Sequence, residues 1–407
     1  MTATSEHADI VIVGTGHGAA QAAIALRQRG HGDRIVMLGR AQAPPNARQP
    51  LSKEYLAGDK PFERILIRPE KFWADKDIEL RLGAAVTEID AGAHKVTLSD
   101  GATLTYRKLI WAGGGDPRRL SCPGAALKGV FYVRDKRDAD AMMAALEAGA
   151  KRAVVIGGVY IGLEAASVAS MLGLDVVLVE MADRILQRVA APETSDYFRT
   201  LHTDHGVDIR EGVGLSRLTG DGAVTGAELS DGSTLDVDFV IVGVGIAPGT
   251  ALAEAAGVDI DNGIKTDAQG RTSVPHVWAA GDCASFPYRD TRIRLESVPN
   301  AIDQAECVAE NIMGAARAYV ARPWFWSDQY DVKLQIAGLN TGYDRVVTRD
   351  GGAAKSFWYY QGDTLLAVDA ANDPRGYMIG KRLIEAGKTA DPAVEADPKG
   401  DLKALLK

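Results

Sequence analysis

Two short runs of aliphatic residues set the pattern of the chain: Ile10-Val11-Ile12-Val13 and Ala153-Val154-Val155-Ile156. Each ends in a cluster of glycines and leads into an Ala-rich stretch. Such a run ahead of a glycine cluster predicts a strand entering a tight turn. The stretches behind them predict helices. One strand–turn–helix is therefore expected from Asp9 to Arg29, and a second starting near Arg152. A strand from Arg34 to Leu38 follows the first. A Pro-rich loop, Ala43 to Pro50, then leads into a helix start at Leu51-Ser52-Lys53. From Glu79 to Leu109 the pattern alternates as in a small antiparallel sheet, with Asp100-Gly101 as its hairpin turn. A strand from Lys108 to Ala112 runs into Gly113-Gly114-Gly115. The second half repeats this order. A strand from Asp175 to Val179 ends at Glu180, a hairpin over Ala227 to Asp238 turns at Asp231-Gly232, and Phe239 to Val242 runs into Gly243-Val244-Gly245. The repetition predicts an internal duplication. Beyond it, Thr272 to Asp282 predicts a strand ending with an acid at a helix start. A helix from Ser297 to Met313 follows, then strands Lys333–Leu339 and Arg345–Thr348. A hairpin over Ser356 to Asp369 turns at Gly362-Asp363, and a final helix spans Gly376 to Ala386.

A length of 407 residues predicts two or three domains. No apolar run reaches membrane-spanning length. Met1 to Asp9 lacks the apolar core of a signal peptide, so a cytoplasmic protein is expected. The balance of 46 basic against 54 acidic residues, −8 net, argues against general nucleic-acid binding. Cys122, Cys283 and Cys307 lie far apart and offer neither a zinc nor a disulfide framework. The seven histidines show no metal-ligand spacing, so no metal is expected.

The chemistry lies in the two turns. The first reads Gly14-x-Gly16-x-x-Ala19, with His17 and Gly18 inside it; the second reads Gly157-Gly158-Val159-Tyr160-Ile161-Gly162. Glycines here permit a tight turn and close backbone approach, and the helix N-terminus behind them faces a pyrophosphate. Two such turns imply two dinucleotides, and two dinucleotides in one enzyme exchange electrons. Glu180 lies about twenty residues past the second turn, where a carboxylate accepts ribose hydroxyls and repels a 2′-phosphate. That favours NADH over NADPH; otherwise Glu180 is a surface acid at a strand end. The first half has Arg40 at this place, which cannot accept a hydroxyl proton and is left to stack on adenine or contact phosphate. Val159 replaces the second glycine. It either crowds the pyrophosphate, at roughly 1–3 kcal/mol, or sits on a locally shifted loop.

Pro50-Leu51-Ser52-Lys53, Tyr160-Ile161-Gly162-Leu163-Glu164, Thr272 to Asp282, Glu296 to Ala301 and Pro323-Trp324-Phe325-Trp326-Ser327 follow one another along the chain. In these motifs the chain resembles the NADH-dependent ferredoxin reductases of oxygenase systems, over nearly its whole length. The resemblance implies the glutathione-reductase fold without a redox disulfide. It is an α/β architecture of two Rossmann-like dinucleotide-binding domains plus a C-terminal α+β domain. The implied boundaries are 1–112 with 246–323 for FAD, 113–245 for NAD, and 324–407. FAD contacts are implied at Gly14, Gly16, His17, Gly18, Ala19, Arg40, Arg48, Lys53, Val86, Ala112, Gly113, Arg134, Gly281, Asp282, Val298 and Trp326. NAD contacts are implied at Gly157, Gly158, Tyr160, Ile161, Gly162, Glu164, Glu180 and Gly245. Lys53 and Glu164 are the expected catalytic pair beside the flavin N5. Asp282 would hold the ribitol or else serve as a plain helix N-cap. Val298 would open a helix whose positive end faces the flavin pyrimidine edge. Tyr160 would shield the flavin, or be an ordinary packed aromatic. Trp326 would mark the electron exit, or be plain core.

The implied activity transfers a hydride from NADH to FAD and single electrons onward to a [2Fe-2S] ferredoxin serving an oxygenase. The protein is expected to be a monomer. Docking of an acidic ferredoxin would fall to Arg289, Arg292, Arg294 and Lys333. The chain departs from the family pattern at Asn46, Gln49, Gly113, Arg40 and Val159, which predicts weaker nucleotide binding. Thiol-based disulfide reductases and peroxidases on this fold need a cysteine within Gln49 to Leu56, and none is there. A flavin-only NADH oxidase and a non-catalytic nucleotide-binding scaffold are the alternatives.

Overall fold

The structure is a computed structural model and describes residues 6–406. It comprises two compact units. One takes Met1–Arg48, Lys60–Asp116 and Ile246–Ala321; the other takes Gln49–Asp59, Pro117–Gly245 and Arg322–Lys407.

The first unit is built on one sheet. Its strands lie in the spatial order Ile78–Leu82, Ile35–Gly39, Glu6–Val13, Thr103–Trp111, Lys95–Leu98, Val86–Asp90, with Val277–Ala279 also paired to Thr103–Trp111. Ile10, Val11 and Ile12 have no exposed surface, as a strand covered on both faces requires. The small antiparallel sheet expected over Glu79 to Leu109 is corrected in two respects. Ile78–Leu82 pairs parallel to Ile35–Gly39, and the antiparallel strands are continuous with the parallel sheet. The reason is the length of Thr103–Trp111. One edge pairs throughout with the first strand. The other edge gives its start to the hairpin and its end to Val277–Ala279. Helix His17–Gln28 packs on helix Val298–Ile312 through small residues, among them Ala19, Ala22, Ala301 and Ala305.

The second unit repeats the pattern with a parallel sheet in the order Asp208–Glu211, Asp175–Glu180, Arg152–Ile156, Phe239–Val242, Val130–Phe131. The three strands Asp175–Glu180, Arg152–Ile156 and Phe239–Val242 keep the order of their first-half counterparts, as a duplication requires. Its hairpin strands form a separate three-stranded sheet. The same unit holds a five-stranded antiparallel sheet from Trp324–Gln329 to Thr364–Ala371, covered by helix Pro374–Glu385.

Three further expectations are corrected. No α-helix starts at Leu51. Gln49–Ser52 is a single 3₁₀ turn followed by irregular turns, anchored by Leu56 in the core and by the Tyr55 hydroxyl donating to Asp140 Oδ1 at 2.6 Å. Pro50 supplies no backbone N–H, and Gly58, at φ +80°, ends the run. No helix starts at Asp282; the chain turns there, with Ala284 N–H donating to Gly281 O at 2.9 Å, and enters strand Ala284–Tyr288. Helix Pro374–Glu385 is not the last element. Helix Pro392–Ala396 and a 3₁₀ turn at Leu402–Leu406 follow. Buried Arg349 holds that tail by donating to the carbonyls of Glu395, Pro398 and Gly400. A tail fixed by one long-range arginine has no local periodicity to read. Among the described residues no helix is long and apolar enough to cross a membrane.

Candidate functional site

In the first unit the strand ends against its own closing segment. Gly14, at φ +124°, leaves only 2.3 Å between a would-be Cβ and Ala112 O, so this position accepts no side chain. Gly113 follows at once, and a Cβ there would lie 3.3 Å from Trp111 Nε1. Gly16 caps helix His17–Gln28 in extended backbone, and a Cβ there would meet nothing within 4 Å. That open space above a helix N-terminus fits a pyrophosphate. His17 lies in the first turn. Burial, with the charge of Arg48 beside it, lowers its pKa to about 4, so the imidazole is neutral at pH 7. Gly18 and Gly281 both face Ala301, each with a would-be Cβ at 3.4 Å, which joins the fingerprint, the Gly281-Asp282 turn and the start of helix Val298–Ile312. Ser297 caps that helix by accepting from Asn300 N–H. Val86 is half-buried at the start of its strand.

Several first-unit residues behave differently from expectation. Arg40 is paired in bidentate fashion with Asp116, so its charge is partnered within the protein. The helix N-cap reading of Asp282 is excluded by the turn it occupies. Arg292 and Arg294 are also engaged. Arg292 donates to Thr266 O and Ser285 O, and Arg294 to Asn262 O, Asp282 O and Glu296. Their side chains are only 22% and 10% exposed, which argues against both as docking cations. Gln304, buried in helix Val298–Ile312, was missed by sequence reasoning; its Oε1 accepts from Gly281 N–H at 2.8 Å.

The second unit carries a tighter version of the same turn. A Cβ at Gly157, Gly158 or Gly162 would lie 2.6 Å from Gly243 O, 2.7 Å from Ile185 Cγ2 or 1.8 Å from Gly157 O. Val159 caps helix Tyr160–Met171 at φ −98°, ψ 177°, against φ −82°, ψ −170° for Gly16. The two backbones match, so the valine sits on an undistorted fingerprint and the shifted-loop alternative is set aside. Glu180 accepts from Gly158 N–H at 2.7 Å and Ala182 N–H at 2.8 Å, which pins its carboxylate to the turn. Ile161, half exposed in the first turn of the helix, and Gly245, at φ +90°, complete the expected set.

Lys53, Arg134 and Trp326 belong to this second unit, whereas the other expected FAD residues belong to the first. Lys53 Nζ lies 2.8 Å from Glu164 Oε1, with both side chains about nine-tenths buried. Ser327 donates to the same oxygen at 2.7 Å. Asp328 Oδ2 lies 3.9 Å from Lys53 Nζ. Burial pushes the Glu164 pKa up, and Lys53 and Ser327 oppose that shift. Along strand Trp324–Gln329 side chains alternate. Phe325 meets the Tyr160 ring edge-to-face at 4.9 Å between centroids, and Ser327 follows on the same face. Trp326 stands on the other face, 5.7 Å from Trp324 between ring centroids. The Tyr160 hydroxyl is buried without a hydrogen-bond partner, and burial holds its pKa well above the ordinary value. Asp369 and Tyr359 are the charged and titratable groups that act on this hydroxyl. Arg134 N–H donates to Asp138 ahead of helix Lys136–Glu147. Ser327 and Phe325 were missed by sequence reasoning, although period-2 alternation beside the tryptophans carried the signal.

Residues 8–305 match the pyridine nucleotide-disulphide oxidoreductase family, and 324–406 match a reductase C-terminal domain. The chain belongs to the pyridine nucleotide-disulphide oxidoreductase family. It is 48% identical over 410 residues to a ferredoxin–NAD(P)(+) reductase of Sphingomonas sp., covering 99% of both chains. It is 40% identical over 408 residues to putidaredoxin reductase of Pseudomonas putida, covering 98% of this chain and 96% of that one. Among solved structures it is similar to the reductase in the covalent putidaredoxin reductase–putidaredoxin complex, at 38% identity and TM-score 0.94, covering 98% of each chain. The family binds FAD and a pyridine nucleotide. The two glycine cradles, one per unit, fit that pair. Within the family this chain lacks a thiol in Gln49 to Leu56, and all three of its cysteines are free.

Proposed function

We propose that this protein is an NADH-dependent ferredoxin reductase. In this reading it passes electrons from NADH through FAD to a [2Fe-2S] ferredoxin that serves an oxygenase, a ring-hydroxylating dioxygenase or a cytochrome P450. The first cradle, with Arg48, Asp282 and Val298, takes FAD; the second, with Glu180 and Gly245, takes NADH. The corresponding division is 1–112 with 246–323 for FAD, 113–245 for NAD and 324–407 for a C-terminal domain, working in the cytoplasm. The buried Lys53–Glu164 pair, in a chain without a thiol at the Pro-rich loop, is the observation that carries the reading. The bound flavin would take a hydride and release electrons singly, converting two-electron into one-electron transfer. Lys53 and Glu164 would hold a fixed charge pair against the reacting edge without acting as acid or nucleophile. Tyr160 and Phe325 would wall that edge from water.

NADH is favoured over NADPH because Glu180, held at Oε2 by Gly158 N–H and at Oε1 by Ala182 N–H, keeps a negative charge beside the fingerprint. The test is anaerobic rapid mixing of the yellow holoprotein with NADH or NADPH, followed by reduction of a matched ferredoxin. NADH should reduce the flavin much faster at equal concentration, and ferredoxin should speed turnover. Better reduction by NADPH would overturn the Glu180 assignment. NADH consumption by oxygen that ferredoxin does not accelerate would favour the oxidase alternative.

A further inference from the structure

Glu164 is the first member of a longer buried chain. Ser327 Oγ donates to Glu164 Oε1 at 2.7 Å, and Gln329 Nε2 lies 3.1 Å from Ser327 Oγ. Gln329 Oε1 lies 2.8 Å from His202 Nε2, and the Tyr330 hydroxyl lies 3.4 Å from His202 Nδ1. Ser327, Gln329 and His202 have no exposed surface. They come from distant parts of the sequence. His202 is on helix Pro192–Asp204, whereas Ser327 and Gln329 share one face of strand Trp324–Gln329.

A hydroxyl has one proton, a side-chain amide has distinct donor and acceptor ends, and a neutral imidazole has one N–H. In a series of such groups, one orientation fixes the next. With Glu164 ionised it only accepts. Ser327 must then donate to it and accept from Gln329 Nε2. Gln329 Oε1 must accept from His202 Nε2–H, which leaves Nδ1 bare to accept from Tyr330. With Glu164 protonated and donating, Ser327 Oγ accepts from it, and the outer links are free to reverse and leave the His202 proton on Nδ1. The arrangement of Gln329 in the structure matches the series that ends on a carboxylate.

We propose that Ser327, Gln329 and His202 form a one-directional hydrogen-bond chain by which strand Trp324–Gln329 and helix Pro192–Asp204 hold Glu164 ionised beside Lys53. Ser327, Gln329 and His202 are positioning residues that act through Glu164. Successive bonds in a low-dielectric interior polarise one another, so the outer links strengthen the inner one. Burial lowers the His202 pKa to about 4, so it stays neutral and supplies its single N–H at physiological pH. The charged and titratable groups facing Glu164 are Lys53 and Asp328; those facing His202 are His205 and Tyr330. The inference rests on reading Lys53 and Glu164 as the pair beside the flavin, but its test reads Glu164 directly.

The test is an infrared titration of the Glu164 carboxyl in the holoprotein, identified by difference against Glu164→Gln, together with ¹⁵N resonances of His202. His202 should carry its proton on Nε2 in the unaltered protein. His202→Leu and Gln329→Met should each raise the Glu164 titration midpoint by about half to one pH unit, the scale of a weakened charged hydrogen bond. His202→Gln keeps an N–H at similar reach and should restore the midpoint, which loss of packing would not explain. A His202 proton on Nδ1, or an unchanged midpoint in both His202→Leu and Gln329→Met, would overturn the chain. Failure of Lys53→Ala to alter flavin reduction would instead count against the placement of the pair, and leaves these readouts intact.

Discussion

The two glycine turns share a fold and differ in almost every side chain that would touch a nucleotide. Both end a buried strand with a glycine at strongly positive φ, and both cap a helix of twelve residues through an extended residue. That capping residue is Gly16 in one and Val159 in the other. The next residue is His17 or Tyr160; both are half-buried, and both are neutral at pH 7. The third position is Ala19 or Gly162. At the end of the second strand Gly39, not Arg40, stands level with Glu180, because Val13 pairs with Leu38 and Ile156 with Val179. Arg40, one residue on, is locked to Asp116, whereas Glu180 accepts from Gly158 in the turn and from Ala182 beyond the strand. Backbone geometry is thus the inherited part of the duplication. In the proposed reading the side chains divide the work between FAD at the first turn and NADH at the second.

The largest expected effect concerns the third position. Ala19 is tolerated in the first turn, whereas a Cβ at Gly162 would lie 1.8 Å from Gly157 O, a backbone atom that cannot move without opening the turn. Gly162→Ala should leave FAD content unchanged and raise the NADH half-saturation at least about a hundredfold, near 3 kcal/mol. Ala19→Gly should cost only about 1 kcal/mol of helix stability. Visible absorbance and rapid-mixing titration read the two effects. Equal NADH affinity in Gly162→Ala would mean that the two turns are interchangeable at this position.

The residue after the cap separates the turns next. Folding lowers the His17 pKa from 6.5 to about 4, so on acidification the unfolded chain takes up the proton first. The contribution of His17 is therefore intact above about pH 6.5 and lost progressively down to about pH 4. Its full extent is about 3 kcal/mol. His202 shifts the same way, so the unaltered protein loses both contributions over this range. Tyr160 has no such acid limb. His17→Gln should flatten the fall in denaturation free energy between pH 6.5 and 4, and an unchanged slope would show that His17 is not sequestered.

Smaller again is the exchange of nucleotide preference. In Glu180→Gln one of the two backbone amides loses its charged acceptor and the 2′-phosphate loses its repulsion. The ratio of kcat/KM for NADH over NADPH should narrow by about tenfold, or roughly 1.4 kcal/mol. No change in the ratio would make Glu180 a structural clamp for the turn alone.

Much of this contrast was legible beforehand for a physical reason. The two strand–turn–helix segments, the glycine turns and the spacing to Glu180 are local signals, and each appears where the pattern places it. What escaped depends on distant partners. Arg40 was read without Asp116, and Asp282 without the turn into Ala284–Tyr288. Glu164 was read without Ser327, and the tail without Arg349. The length of Thr103–Trp111 decided that the hairpin joins the main sheet, whereas in the second half the equivalent strands form a sheet of their own. Nothing within those segments distinguishes the two outcomes.

The smallest effect is the most direct probe of the comparison. Val159 and Gly16 share a backbone, and a Cβ at Gly16 would point into open space. That space is where the first turn would receive a pyrophosphate, so the side chain of Val159 should occupy part of the equivalent space in the second turn. Val159→Gly should then lower the NADH dissociation constant by up to about tenfold, near 1.4 kcal/mol. The added chain freedom of glycine offsets part of this, by roughly 0.5–1 kcal/mol, so the net gain should fall short of that ceiling. The hydride step at saturation should hardly change, because the nicotinamide end is assigned to Glu164 and Tyr160. Titration of flavin reduction against NADH separates the two parameters. Equal half-saturation would mean that the pyrophosphate passes clear of the valine. Weaker binding by Val159→Gly would mean that the valine holds the helix cap in place, and that the second turn has replaced flexibility with packing at the position where the first keeps glycine.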